Sequence, residues 1–411
     1  MSTLSIDGFS PLAVARPTSV ADLAALVRDA DAAGRAVYPV GGGTMLDHGL
    51  PPTKAGTAAD LRGLDRVIDY PARDMTITVQ AGITIARLQD ALRAEGQQLP
   101  VDVPRPDRAT LGGAVATNAS GPRRFGHGTL RDYVIGISVV NDAGQEVKGG
   151  GRVVKNVAGY DLMKLYTGSF GTLGIISQLT LKVKPRAEAT AVVIVRCDEA
   201  ALNPLLTGVL ARTRTRPIVT TVLNAPAATR AGLAAGPFAV LIGYEEKRVA
   251  VDWQVATLTS ELAPEQVAGM TVAAGPDAET WVRSLTDFPL AENVGVSWKA
   301  NLLPAETADF LLRADRLDPR PDLMAHAGNG IVYGHFPAET SVERVKSGLD
   351  HLLRLAHSAA GNVVVTRCPP AWKAALPVWG NSSPDRKLMR AVKDKLDPRR
   401  LFNPGRFVDG I

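Results

Sequence analysis

Ala36-Val37-Tyr38-Pro39-Val40-Gly41-Gly42-Gly43-Thr44 runs a short strand straight into three glycines and a threonine. Three residues without Cβ let backbone N–H groups approach an anion closely, and Thr44 adds a hydroxyl. Two familiar phosphate loops are excluded. There is no GxxxxGK[ST], and the glycines lack GxGxxG spacing. The next residues, Met45-Leu46-Asp47-His48-Gly49-Leu50-Pro51-Pro52, are not the helix that a Rossmann turn enters. Taken alone, the run suits a phosphate cradle or a plain tight turn.

Elements on either side have clear signals. Upstream, Thr18 and Ser19 offer an N-cap, and Val20, Leu23, Leu26, Val27 and Ala30 recur at helical spacing until Gly34. Downstream, Val67 to Tyr70 and Met75 to Gln80 alternate like strands, and Thr84 caps a helix through Ile85, Leu88 and Leu92. From Pro104 to Gly128 the texture turns to small residues, centred on Thr110-Leu111-Gly112-Gly113-Ala114-Val115-Ala116-Thr117-Asn118-Ala119-Ser120-Gly121. Such a segment lets a planar ligand lie on backbone, with Thr110, Thr117 and Ser120 bonding its polar edge; the alternative is a small-residue helix packed tightly on a strand. Val134 to Lys148 reads as a hairpin turning at Asn141-Asp142-Ala143-Gly144. A third glycine loop, Thr167-Gly168-Ser169-Phe170-Gly171-Thr172-Leu173-Gly174-Ile175-Ile176, precedes a long strand. Three such loops in one α+β region point to a dinucleotide held without a Rossmann fold.

Residues 190 to 360 change character to Ala-rich helices between isolated strands such as Ala191–Arg196, Phe238–Tyr244 and Val294–Lys299. The tail adds a strand, Asn362 to Thr366, and a helix, Pro384 to Leu396. Composition is that of a globular protein: 45% hydrophobic, 21% charged and a formal charge of +5 over 411 residues. No Lys/Arg block is dense enough for a nucleic-acid stripe. The two cysteines, Cys197 and Cys368, have no metal or cluster spacing and read as reduced thiols. The first ten residues lack the regions of a signal peptide, and no apolar run approaches a membrane span, so a cytoplasmic location is expected.

Together the three loops resemble the FAD-binding domain of the vanillyl-alcohol oxidase (PCMH-type) flavoproteins, in the branch of D-2-hydroxyacid dehydrogenases. Similarity is strongest in Ala109-Thr110-Leu111-Gly112-Gly113, Gly121-Pro122-Arg123-Arg124, Arg131-Asp132-Tyr133-Val134, Lys155-Asn156-Val157-Ala158-Gly159-Tyr160-Asp161 and Gly171-Thr172-Leu173-Gly174. The second and fourth of these, with the terminal Leu396-Asp397-Pro398 and Phe402-Asn403-Pro404-Gly405-Arg406, are similar to the FAD-binding subunits of bacterial glycolate oxidase complexes. The resemblance implies an α+β fold: a PCMH-type FAD domain of two α+β subdomains at 1–187, a separate α+β cap domain at 188–360, and a C-terminal segment at 361–411 that packs back on the FAD domain. It implies that Val40, Gly41, Gly42, Gly43, Thr44 and Met45 hold the FAD pyrophosphate. Pro104, Thr110, Leu111, Gly112, Gly113, Thr117, Ser120 and Gly121 would lie along the isoalloxazine. Gly171, Gly174, Ile175 and Ile176 would approach the adenosine end, with Asp161 supporting the cofactor. Thr44 stands where covalent relatives often carry histidine, so the FAD is expected to be non-covalent.

Departures from the family pattern shape the function expected. Catalytic relatives carry His-x-Gly-Asp-Gly-Asn-Leu-His, which with a Glu-His pair binds a divalent metal; the corresponding stretch here is His326-Ala327-Gly328-Asn329-Gly330-Ile331-Val332-Tyr333. Amide and phenol replace carboxylate and imidazole, and Gly361 to Arg367 lacks the Glu-His pair, so no metal is expected. His326 and His335 then read as ordinary residues of a strand–loop–strand. For catalysis Arg124, His127 and His335 remain as candidates, an arginine suiting bidentate carboxylate recognition. The resemblance implies a flavoprotein subunit oxidising glycolate to glyoxylate, hydride passing from the α-carbon to flavin N5. Its partners would be a catalytic FAD subunit, an iron–sulfur subunit and the small 2-hydroxyacid itself, with peripheral attachment to the inner face of a membrane through the complex. The alternatives are a stand-alone dehydrogenase of a small 2-hydroxyacid and a non-catalytic subunit that holds FAD structurally.

Overall fold

The computed structural model describes residues 4–152, 160–233, 236–262 and 267–411; Lys155 and the rest of the 153–159 motif lie outside them. The chain divides into two compact units. Met1–Ser120, Gly128–Arg186 and Ser382–Ile411 form the first, Gly121–His127 and Ala187–Asn381 the second.

In the first unit, Ser19 caps the helix Val20–Ala32 through a capping box with Asp22. That helix buries Leu23 and Val27 against a three-stranded parallel sheet ordered Ala13–Ala15, Gly56–Asp60, Ala36–Val40. A second, antiparallel sheet is ordered Val67–Asp69, Thr76–Gln80, Ile175–Lys182, Val134–Val140, Glu146–Gly150. Thr84 caps Ile85–Arg93, where Leu88 and Leu92 lie one turn apart and are fully buried, each contributing about 1.5–3 kcal/mol. The two sheets and their helices are the two α+β subdomains expected of a PCMH-type domain.

The second unit is built on one antiparallel sheet, ordered Gly269–Ala274, Ala189–Cys197, Phe238–Glu246, Val219–Asn224, Asp322–His326, Ile331–His335, Ser297–Asn301, Asn362–Arg367. Strand alternation sorts its residues. In Ser297-Trp298-Lys299-Ala300-Asn301, Trp298 and Ala300 enter the apolar core with Phe310, Leu349 and Leu352. Ser297, Lys299 and Asn301 are left for the opposite face.

Two boundaries differ from those expected. Gly121–His127 belongs to the second unit because the Gly126 N–H donates to the Ile218 carbonyl (3.2 Å) and Arg123 reaches Glu245 (2.7 Å). Residues 361–381 also stay there, since Asn362–Arg367 is a sheet strand paired with Ser297–Asn301; the segment belonging to the first unit starts at Ser382 rather than 361.

Candidate functional site

Close approach of backbone brings the three glycine loops of the first unit together. A Cβ on Gly41 would lie 2.1 Å from Thr110 Oγ1, and one on Gly42 only 1.7 Å from the Arg108 carbonyl oxygen. The first loop is therefore laid directly on the segment leading into the second. There Thr110, whose hydroxyl accepts from the Gly113 N–H (3.3 Å), caps a short helix, Leu111–Thr117. Gly112 donates to the Ala81 carbonyl at 2.7 Å and has no room for a side chain against Ala81. So the small-residue segment is a tightly packed helix rather than an open loop. The third loop lies on that helix: Gly168 and Phe170 donate to the Val115 and Ala116 carbonyls at 2.9 and 2.8 Å.

Polar atoms left over at this junction show what it can hold. Asn118, the left-handed C-cap of the short helix, and Ser169 in the third loop each bury an oxygen with no partner. An unsatisfied buried polar group costs about 1–3 kcal/mol, a cost removed by a ligand with donors at its edge. FAD has such edges at both ring systems, and the bare glycine backbone suits its pyrophosphate, so the residues present fit the group. Neither Asn118 nor Ser169 stands out in sequence. The signal was there for Asn118, since a left-handed C-cap favours glycine or asparagine.

The other expected cofactor residues fall into three sets. Val40 is buried at the end of its strand, and Gly43, Thr44 and Met45 continue the first loop, partly exposed. Pro104, Leu111, Ser120 and Gly121 are buried, while Thr117 turns its hydroxyl back to the Gly113 carbonyl (2.9 Å). Gly121, however, is assigned to the second unit. Gly171 and Gly174 serve packing: a Cβ on either would strike Pro39 (2.9 Å) or Val139 (2.6 Å). Ile175 and Ile176 are core residues of two different clusters. Asp161 is an exposed N-cap that accepts from the Lys164 N–H and pairs with its ammonium at 3.0 Å, a partnership that holds its carboxyl low despite the opposing effect of burial. It is therefore occupied by its own helix.

Three residues of the tail brace these loops. Buried Arg406 donates to the carbonyls of Leu46 (2.5 Å), His48 (2.7 Å) and Leu50 (2.6 Å), and pairs with Asp7. Asn403 donates to the Phe170 carbonyl at 2.6 Å. Fully buried Lys393 donates to Thr172 (2.6 Å) and Phe402 carbonyls and to Asp397.

In the second unit, polar side chains gather on the sheet face opposite Trp298. Thr221 lies across from His326 and bonds its Nδ1 at 3.1 Å; Lys299 lies across from Tyr333, its ammonium 5.9 Å from the ring centre. The His326 and Tyr333 rings meet edge-on at 5.6 Å. Burial, with the charges of Arg124 and Lys299, pushes the His326 imidazole down to about 3, so it is neutral. Burial and Arg124 bring the Lys299 ammonium down to about 8. Elsewhere in this unit, buried Glu245 takes Arg123 at 2.7 Å and His127 at 3.4 Å; burial raises its carboxyl, but these partners outweigh that and hold it below the usual range. His335 is not free for catalysis. Its Nδ1 meets Ser297 Oγ at 2.9 Å and its Nε2 the Phe288 carbonyl at 2.8 Å, and burial pushes it down to about 4. Among the described residues no group of three His, Cys, Asp or Glu could hold a metal.

The first unit joins a parallel sheet to an antiparallel one and packs three glycine loops on one another, the mixed α/β arrangement expected of a PCMH-type FAD-binding domain. Residues 11–150 match the family described as FAD binding domain, and FAD is the cofactor of this chain. Over 97% of the chain, and 90% of the relative, it is 28% identical to a D-2-hydroxyglutarate dehydrogenase of Xanthomonas citri pv. viticola. It is 39% identical to the glycolate oxidase subunit GlcE of Escherichia coli over 34% of the chain and 40% of that subunit. With the glycolate oxidase subunit GlcD of Bacillus subtilis it shares 25% identity over 90% of the chain and 83% of the subunit. In fold it is similar to alkyldihydroxyacetonephosphate synthase, with a TM-score of 0.70 at 18% identity over 96% of this chain and 77% of that one. These likenesses place the chain among the FAD-dependent oxidoreductases. No helix among the described residues is long and apolar enough to cross a membrane.

Proposed function

We propose that this chain is a non-covalent FAD subunit of an assembly that oxidises a small 2-hydroxyacid, glycolate to glyoxylate, and passes the electrons to an iron–sulfur partner. The observation that carries the flavin part is the packing of three glycine loops around two orphaned oxygens, on Asn118 and Ser169. When bound, FAD would supply a two-electron hydride acceptor. The chain's own residues would hold the pyrophosphate on Gly41 to Thr44 and a ring edge at Asn118 and Ser169. Support for a subunit comes from the resemblance over the FAD region to a relative named as one. An iron–sulfur relay needs a cysteine set, and the two buried cysteines here do not supply it.

A second reading, a stand-alone dehydrogenase, is favoured by the full-length likeness to a relative named as a D-2-hydroxyglutarate dehydrogenase. An anaerobic visible spectrum of the purified chain, before and after glycolate, separates the two. Flavin bands that persist until partner subunits are added support the subunit. Bands that bleach in the chain alone support the dehydrogenase, and a colourless protein that does not take up FAD overturns both.

A further inference from the structure

We propose that the second unit pairs with a second copy of this chain through the open edge of its sheet, Gly269–Ala274, about a two-fold axis at Val272. The pairing goes beyond the flavoprotein reading and does not depend on which hydroxyacid is oxidised.

The two edges of this sheet differ. At one, Asn362–Arg367 is covered by its own unit: the Val365 N–H donates to the Val378 carbonyl (2.8 Å) and Asn362 Nδ2 to the Trp379 carbonyl (3.1 Å). At the other, Gly269–Ala274 pairs with Ala189–Cys197, and no strand among the described residues pairs with its outer side. Edges left open in water are usually blunted by a charge, a proline or a bulge. Gly269-Met270-Thr271-Val272-Ala273-Ala274 has no charge and no proline, keeps a regular register with its neighbour, and leaves Val272 48% exposed.

The phase of the strand shows what it offers. The Gly275 N–H donates to the Thr190 carbonyl at 2.9 Å, so alternation turns the N–H and C=O groups of Met270, Val272 and Ala274 outward. Three outward residues spaced by two are self-complementary about the middle one. With Val272 across from Val272 of the copy, Met270 faces Ala274 and the reverse, giving about six backbone hydrogen bonds.

Charge selects the same partner. Arg196 lies across from Gly269, and a Cβ on that glycine would be 2.3 Å from its Nη2. Asp277 and Glu279 are exposed in the first turn of Pro276–Asp287, which follows the strand's other end. That helix packs Ala278 and Val282 into the cluster that holds Ile194, two residues from Arg196, so the base and the acids share one face. None of the three makes an ion pair among the described residues. A two-fold axis at Val272 exchanges the ends of the strand and sets each Arg196 toward the acids of the other copy. An identical chain thus supplies by symmetry the charges this edge lacks.

The FAD-loaded full chain tests this in sedimentation velocity over a dilution series. The expectation is a dimer at high concentration that dissociates reversibly on dilution. Val272→Lys sets two ammonium groups face to face and should raise the dissociation constant at least tenfold, with melting point and FAD content unchanged. Arg196→Glu alone, or Asp277→Arg with Glu279→Arg, should weaken the dimer severalfold, and all three changes in one chain should restore it. A chain that stays monomeric at every concentration, a dimer indifferent to Val272→Lys, or charge reversals that do not compensate each overturns the proposal. So does a monomer whose Val272→Lys variant loses an added partner subunit, which assigns the edge to a different chain.

Discussion

Replacing Lys299 with methionine should stabilise the second unit at neutral pH. The folded chain holds this ammonium at about 8 against an ordinary 10.5, burial being the larger cause and Arg124 the other. At about 1.4 kcal/mol per tenfold, that drop corresponds to about 3 kcal/mol of strain in the charged form. The side chain is only partly buried, and solvent screening reduces the figure to about 2 kcal/mol. The pH window is set by the direction of the shift. Between 8 and 10.5 the unfolded chain binds the proton more tightly than the folded one, so stability rises with pH across that interval. Below 8 the full cost is present; above 10.5 it is gone. Methionine has similar length and no charge, so at pH 7 Lys299→Met should raise the melting point of the second unit by about 4–8 °C. The advantage should vanish by about pH 10.5. Calorimetric scans of both chains at the two pH values measure the difference directly. A variant less stable than wild type at neutral pH, or a difference that ignores pH, would show that Lys299 is not a strained cation.

Gly42→Ala should release FAD as fully as Gly42→Asp, because the obstacle is the Arg108 carbonyl 1.7 Å from any Cβ and not only the carboxylate's charge near a pyrophosphate; flavin absorbance of the purified variants reads this, and a yellow Gly42→Ala chain contradicts it. Arg406→Met should destabilise the first unit by about 3–5 kcal/mol, since Asp7 and three carbonyls lose a buried cation, and Asp7→Asn in the same chain should recover part of the loss in urea midpoints. Glu245→Gln should cost a similar amount at pH 7. Because the folded carboxyl titrates below its ordinary value, the ion pair's contribution is present above about 4.5 and fades as pH falls through the lowered value, so wild type and variant should converge in acid.

Much of the first unit was legible because its elements begin and end on local signals. Ser19, Thr84 and Thr110 each cap a helix in the structure, and Ala36–Val40 leads into its glycines as its composition suggests. The second glycine segment was harder, since the residues that admit a flat ligand also admit a close helix, and only the Ala81 contact decides for the helix. Asp161 is ambiguous for a related reason: a carboxylate near a glycine loop and the N-cap of its own helix look alike in sequence, and the structure shows the second through its Lys164 bonds. The polar face of the second unit was nearly invisible. His326, Tyr333 and Lys299 come from three strands, and nothing local in Ser297-Trp298-Lys299-Ala300-Asn301 says that its lysine lies across from a tyrosine 34 positions later. His335 draws attention by its chemistry alone, and pairing with Ser297 and Phe288 removes it.

The departures from the metal-binding pattern fit one another physically. By the resemblance, Asn329 and Tyr333 take the places of a metal-ligating carboxylate and imidazole, and Lys299 and Arg124 are close enough for their charges to act on His326. A dication and a neighbouring ammonium repel, so a chain relying on Lys299 gains nothing from restored ligands. Asn329→Asp with Tyr333→His should therefore bind zinc weakly: burial, with the charges of Arg124 and Lys299, keeps the His326 imidazole neutral and able to ligate, but those same cations repel the metal. Adding Lys299→Met removes one of those charges and should tighten zinc at least tenfold, read by competition with a chromogenic chelator. If the double variant binds zinc equally well with Lys299 in place, the charge on this face does not govern what it can hold.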